Sequence, residues 1–237
     1  MIKIMNFSNI YKNSQYKFPL DSEWIDCSDI EGTKGYCSEE ASEQIRKRLK
    51  KYSISGIHFI DSGNYHYLSH FWLEKLQESA DLIVFDHHTD LQRSAFGTIL
   101  SCGSWILEQL IHPCIHKIYM IGVSEELIKE LPLEVKSRVV FWSAEESAGQ
   151  IEKTKFIERF YLSVDKDVFQ TEVVETDWDQ GSMTEKQFYR SLELLQRKSD
   201  LIGVDICGEP SDGDEVCLKS NRWNHRFIEF LKKTVRI

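Results

Sequence analysis

Four short apolar runs, each closing on an aspartate, constrain this chain most: IHFID (57–61), LIVFD (82–86), FYLSVD (160–165) and LIGVD (201–205). Runs of that length, rich in Ile, Val and Phe, read as buried strands. Further strands are predicted at 2–6, 24–27, 117–121 and 138–142. Helical patterns alternate with them. Ser38 opens one, with Glu39 and Glu40 in its first turn and a basic cluster from Arg46 to Lys51 at its end, where the helix dipole favours each charge. Others are expected at 67–79, 104–111, 124–131, 185–198 (opened by a capping box, Thr184 with Gln187) and 219–234. Residues 91–103, with Gly97 and Gly103, and 168–183 read as loops. Alternating strands and helices predict an α/β fold with a parallel sheet covered on both faces. No linker or repeat divides the chain, so a single domain over 1–237 is expected.

Parallel strands place their carboxyl ends on one edge, where open α/β sheets bind ligands. Asp61, Asp86, Asp165 and Asp205 are therefore expected to converge. The second run continues as LIVFDHHTD, and two carboxylates with two imidazoles at a strand end are costly to bury without a partner. Asp86, His88 and Asp90 alternate at i, i+2, as do Asp165 and Asp167, so extended backbone would aim each set at one point. With His66, after its own strand, the tally is two imidazoles and four carboxylates. That set suits two divalent ions, Mn²⁺ first and Fe²⁺, Co²⁺, Ni²⁺ or Zn²⁺ next, roughly 3.5–4 Å apart with a bridging hydroxide. A lone strand-end Asp is most often a turn or cap residue, and DxHxD alone matches by accident; the second motif, DxD at another strand end, tips the reading to metal.

The bulk composition fits. A formal net charge of −9 argues against nucleic acid or an anionic membrane as partner and suits a protein that holds cations. No apolar run approaches the roughly 20 residues of a membrane helix, and the polar N-terminus is unlike a signal peptide. The six cysteines form no CxxC pair; they read as reduced thiols in a cytoplasmic protein.

Three segments, GNYHYLS (63–69), FDHHTD (85–90) and SVDKD (163–167), resemble the metal motifs of the arginase–agmatinase (ureohydrolase) superfamily, which read roughly GGDHS, DAHxD and SxDxD. QGSMT (180–184) is similar to the Gly-Leu-Thr turn after the third. The resemblance covers about 57–90 and 160–210. It implies a three-layer α/β/α fold and a dinuclear Mn²⁺ site. His66, Asp86, Asp90 and Asp165 would hold one ion, and Asp86, His88, Asp165 and Asp167 the other, with Asp86 and Asp165 bridging and metal-bound hydroxide as nucleophile.

Three departures stand out. The loop His that shuttles protons in family members is replaced near Cys102–Gly103. DICGEP (205–210) is one residue shorter than the family's DIMExNP, so Glu209 is the candidate to grip a guanidinium while strict counting puts Gly208 there. Asn64 stands where the family has Asp. Asp205 is expected to orient a ligand His, His87 to face away from the site, and Trp178 to be a packing residue or to line a substrate pocket. The string Glu172, Glu175, Asp177 and Asp179 reads as a solvated loop that could select a cationic substrate.

The expected function is hydrolysis of a linear C–N bond in a guanidino or amidino compound, with Asp86, Asp165 and Glu209 as the reaction's residues and a small cationic substrate. The alternatives are a single-zinc deacetylase on the same fold and a non-catalytic metal-binding module. A homo-oligomer is expected by family analogy alone.

Overall fold

The computed structural model describes residues 1–93 and 99–234. Gly97 of the predicted loop lies outside them. The strands are β1 (Ile2–Asn6), β2 (Glu23–Asp26), β3 (Tyr36–Cys37), β4 (Ile57–Phe59), β5 (Ala80–Phe85), β6 (Leu100–Ser101), β7 (Ile115–Ile121), β8 (Val139–Trp142), β9 (Arg159–Asp165) and β10 (Asp200–Cys207). The helices are α1 (Glu39–Leu49), α2 (Leu68–Leu73), α3 (Trp105–Gln109), α4 (Glu125–Glu130), α5 (Leu133–Lys136), α6 (Ser147–Lys153), α7 (Glu185–Gln196) and α8 (Asp214–Thr234).

Eight strands form one sheet in the order β2-β1-β4-β10-β9-β5-β7-β8. Every pairing in it is parallel. Side-chain alternation divides each strand between two cores. Ile83 and Phe85 of β5, with Phe160, Leu162 and Val164 of β9, pack with Ile151 of α6, Phe188 of α7 and Trp223 of α8. Leu82 and Val84 face the other way, toward Ile45 of α1, Trp72 of α2 and Ile106 of α3. The fold is therefore a three-layer α/β/α sandwich. No helix among the described residues is long and apolar enough to cross a membrane.

Local chemistry accounts for the helix starts. Ser38 accepts from Ala41 N at the head of α1, and Thr184 and Gln187 form the reciprocal capping box of α7. Three expectations change. The helix expected over 67–79 stops at Leu73, because residues 74–79 lead the chain down to a strand that begins at Ala80, not Leu82. Helix α6 was hidden by its polar composition and Gly149; Ile151 is its buried anchor. The antiparallel pair β3–β6 joins residues too distant for local pattern to reveal.

Candidate metal centre

Strands β4, β10, β9 and β5 are neighbours in the sheet, although their order along the chain is β4, β5, β9, β10. This adjacency brings together residues from about 66 to 207. A cavity of about 190 Å³ opens at their carboxyl ends; its lining includes His66, Asp86, His88, Asp90, Asp165 and Asp167.

Tight turns, not extended strands, aim these side chains. Phe85 ends β5, and the next residues fold back so that Asp86 Oδ1 accepts from His88 N at 2.6 Å. Asp90 sits at φ 46°, in the left-handed region that L-residues avoid. Its carboxylate is held there by the Trp105 indole, whose Nε1 donates to Asp90 Oδ2 at 2.6 Å. Asp165 ends β9 and caps a single 3-10 turn, accepting from Asp167 N at 3.0 Å. The two strips are tied directly: His87 N donates to Asp167 Oδ1 at 3.0 Å.

The imidazoles face the carboxylates. His66 Nδ1 lies 3.0 Å from Asp90 Oδ2, 3.3 Å from Asp86 Oδ2 and 3.5 Å from Asp165 Oδ2. Ser163 Oγ donates its one proton to Asp205 Oδ1 at 2.6 Å, so it accepts from His66 Nε2 at 2.9 Å. That chain commits the Nε2–H and leaves Nδ1 to point into the site. Asp205 acts on His66 through Ser163, as an orienting partner. His88 Nδ1 lies 2.8 Å from Asp167 Oδ2 and 3.7 Å from Asp86 Oδ1.

The electrostatics are those of an under-neutralised acidic site. Burial, then Asp90 and Asp167, pushes the Asp86 carboxyl well up; burial and Asp167 raise Asp165. Burial alone would lower both imidazoles, but the carboxylates Asp86 and Asp90 carry His66 well above its ordinary value, and Asp167 carries His88 up to about 9. Asp86 Oδ2 is buried and accepts no well-aligned hydrogen bond. A buried carboxylate oxygen without a donor is costly, and a cation removes that cost. Donor atoms of His66, Asp86 and Asp90 lie within 4.8 Å of one another, as do those of Asp86, His88 and Asp167. Two clusters sharing Asp86 fit a pair of divalent ions in number and in ligand chemistry.

Other sequence expectations are revised. Asp61 does not line the cavity. At φ 77° it lies two residues beyond β4, and its carboxylate accepts from the backbone of Phe7, Ser8 and Ser62, pinning the segment after β1. Asp205 is not a strand end, since β10 runs on to Cys207. Glu209 is corrected most. It is fully buried and faces away from the cavity, accepting from Lys166 Nζ (2.6 Å), Tyr16 Oη (2.8 Å), Ser220 Oγ (2.7 Å) and Asn224 Nδ2 (2.8 Å). Four donors satisfy its carboxylate there, outside the cavity lining. Gly208 offers no carboxylate either. At φ 85° a Cβ on it would stand 2.5 Å from Asp165 Oδ1.

His87 is not a cavity residue and packs beside Gly181. Trp178 and Cys102 both line the cavity. The Trp178 ring stands edge-on to His88 at 5.7 Å between centroids. Burial and Asp90 push the Cys102 thiol up to about 12, so it is neutral near pH 7. Asp177 accepts from Ser211 N, and Glu175 pairs with Lys219, so part of the acidic string ties loops together. Trp105, which holds Asp90, and Cys207, whose Sγ lies 3.0 Å from Asp165 Oδ2, carry little mark in the local sequence. The only available sign was that Cys207 lies two residues beyond Asp205.

Residues 3–209 match the model of the arginase family. The chain belongs to that family. An uncharacterized protein of Thermotoga maritima is 30% identical over 209 residues, which is 88% of this chain and 80% of that protein. The same fold occurs in proclavaminate amidino hydrolase from Streptomyces clavuligerus (TM-score 0.72, 13% identity, 98% of this chain and 92% of that one). It occurs in agmatine ureohydrolase of Thermoplasma volcanium (0.65, 16%, 98% and 90%). It occurs also in Trypanosoma cruzi formiminoglutamase, solved with Mn²⁺ (0.67, 10%, 97% and 93%). As an arginase-family fold with two candidate metal clusters, the protein is consistent with metal-dependent hydrolysis in general.

Proposed function

We propose that this protein hydrolyses a linear C–N bond in a small guanidino or amidino compound with two bound divalent ions. The observation that carries this reading is the pair of donor clusters sharing Asp86 on the wall of the cavity. His66, Asp86, Asp90 and Asp165 would hold one ion, and Asp86, His88, Asp165 and Asp167 the other. A carboxylate-rich set with some imidazole favours Mn²⁺, the ion present in the formiminoglutamase structure. When bound, two such ions supply an activated water and polarise the carbon it attacks.

The chain's own residues do the rest. A cavity of about 190 Å³ is smaller than the few hundred Å³ of a typical ligand pocket, and suits a planar amidino head. The Trp178 indole walls one side and offers its ring to a cation. The net charge of −9 draws cations and repels anions. Two structural neighbours are named for hydrolysis of such groups, agmatine ureohydrolase and proclavaminate amidino hydrolase.

The test is to load the protein with Mn²⁺, count ions per chain, and screen guanidino and amidino compounds for urea or ammonia release beside Asp165→Ala. Stoichiometric metal with turnover that D165A abolishes supports the reading; failure to hold metal sinks it. A second reading, a non-catalytic binding module, is favoured by the turning of Glu209 away from the cavity and by Cys102 in the loop. Two ions bound and no amidine turned over would select it.

A further inference from the structure

Cys207 is the last residue of β10 and pairs in register with Asp165, the last residue of β9. Paired positions on adjacent parallel strands send their side chains to the same side. The thiol is fully buried, and its Sγ lies 3.0 Å from Asp165 Oδ2. Donor atoms of His66, Asp165 and Cys207 all fall within 4.8 Å of one another, a third cluster beside the two already described. Zn–S bonds run about 2.3 Å and Zn–N or Zn–O bonds about 2.0–2.2 Å, so ligand atoms sharing one ion stand roughly 3–4 Å apart. Asp165 Oδ2 has that spacing to both partners, 3.0 Å to Cys207 Sγ and 3.5 Å to His66 Nδ1. A separate observation points the same way: Asp86 Oδ2, 1% exposed as a residue and 3.3 Å from His66 Nδ1, accepts no well-aligned hydrogen bond.

We propose that Cys207 is a thiolate ligand of the metal centre, completing with His66 and Asp165 a position that takes a divalent ion of the zinc class in preference to Mn²⁺. This rests on the two-metal reading and changes the identity of one of its ions. Thiolate selects zinc-class ions, whereas carboxylate and water suit manganese. The second position, built on Asp86, His88 and Asp167, has no sulfur and keeps the manganese preference. Against carboxylates alone the thiol keeps its proton and donates it to Asp165. Coordination breaks the S–H bond, forms a sulfur–metal bond and passes the proton to buffer. The two positions thus differ in kind, and the protein should bind two different metals in order.

The test uses the full chain, stripped with a chelator and titrated with Co²⁺, whose thiolate complexes absorb by charge transfer in the near ultraviolet. The wild type should develop that band. Cys207→Ser should bind as much cobalt without it, and Cys102→Ser, which removes the thiol that lines the cavity, should keep it. In competition dialysis the preference for Zn²⁺ over Mn²⁺ should fall at least about tenfold in C207S, the lower end of what losing a supporting group costs a metal site. Cobalt bound by the wild type without the band overturns the assignment and leaves the metal centre standing. A band that survives C207S, or that vanishes in C102S, also overturns it. No cobalt bound at all overturns the centre and this ligand together. Should C207S fail to fold, the wild-type spectrum and the C102S control still decide.

Discussion

Replacing Lys166 with methionine tests the support behind the site most sharply. Lys166 lies between Asp165 and Asp167, but its side chain passes to the far side of the turn. There it is fully buried, 2.6 Å from Glu209 Oε1 and 2.8 Å from Ser220 Oγ, with Trp223 beneath it. Methionine approximates its volume and removes the charge, leaving the Glu209 carboxylate buried without a cation. Breaking a buried pair from one side costs about 3–5 kcal/mol. Tyr16, Ser220 and Asn224 still donate to Glu209, which places the expected loss near the lower figure, about 3 kcal/mol. With a urea slope near 3 kcal/mol/M, the upper end for small proteins, the midpoint should fall by about 1 M. K166M/E209Q removes the stranded charge, so it should be more stable than K166M by about 1–2 kcal/mol despite carrying one more substitution. Urea unfolding of wild type, both singles and the double measures the coupling. A K166M midpoint within error of wild type, or a double mutant no better than K166M, would refute the idea that the pair matters through mutual neutralisation.

Gly208→Ala should lose about 1–2 kcal/mol from its positive φ alone; because the new Cβ meets Asp165 Oδ1, metal affinity should fall with it, read by melting with and without Mn²⁺. Asp205→Asn weakens the acceptor that orients Ser163 and, through it, His66, and should cost about 10–100-fold in metal affinity with little change in fold, as seen by isothermal titration beside circular dichroism. Burial works to raise Glu74, but His70 and the forked hydrogen bonds from Arg46 override it and hold the carboxyl down to about 2. Its folded value lies below the unfolded value of about 4.3, so its contribution is full above that pH and is lost as pH falls toward 2. Glu74→Gln should flatten stability against pH between those limits, and an unchanged slope would count against it. Trp178→Ala should raise KM for a cationic substrate more than it lowers kcat, since the ring walls the cavity without joining the ligands.

Much of the centre is written locally. The apolar runs, their alternation with helical patterns, and the capping box at Thr184 follow from periodicity and side-chain chemistry within about ten residues. The six donors His66, Asp86, His88, Asp90, Asp165 and Asp167 stand out because clustered carboxylates and imidazoles at strand ends are expensive to bury unpaired. Sequence alone therefore determined the class of fold and the types of donor at the strand ends.

Only the tertiary structure decided how those donors meet, because it depends on strand order and turn geometry. The i, i+2 spacing suggested extended backbone, yet Asp90 reaches the site through a left-handed turn held by Trp105, and Asp165 and Asp167 through a 3-10 turn. Asp61 and Glu209 have the right type and place in sequence but are held elsewhere, one by backbone amides and the other by Lys166. Cys207 enters the centre because β10 lies between β4 and β9 and runs two residues past Asp205. A carboxylate's role is set by which donors reach it first. That is a matter of packing across the sheet, and no local pattern carries it.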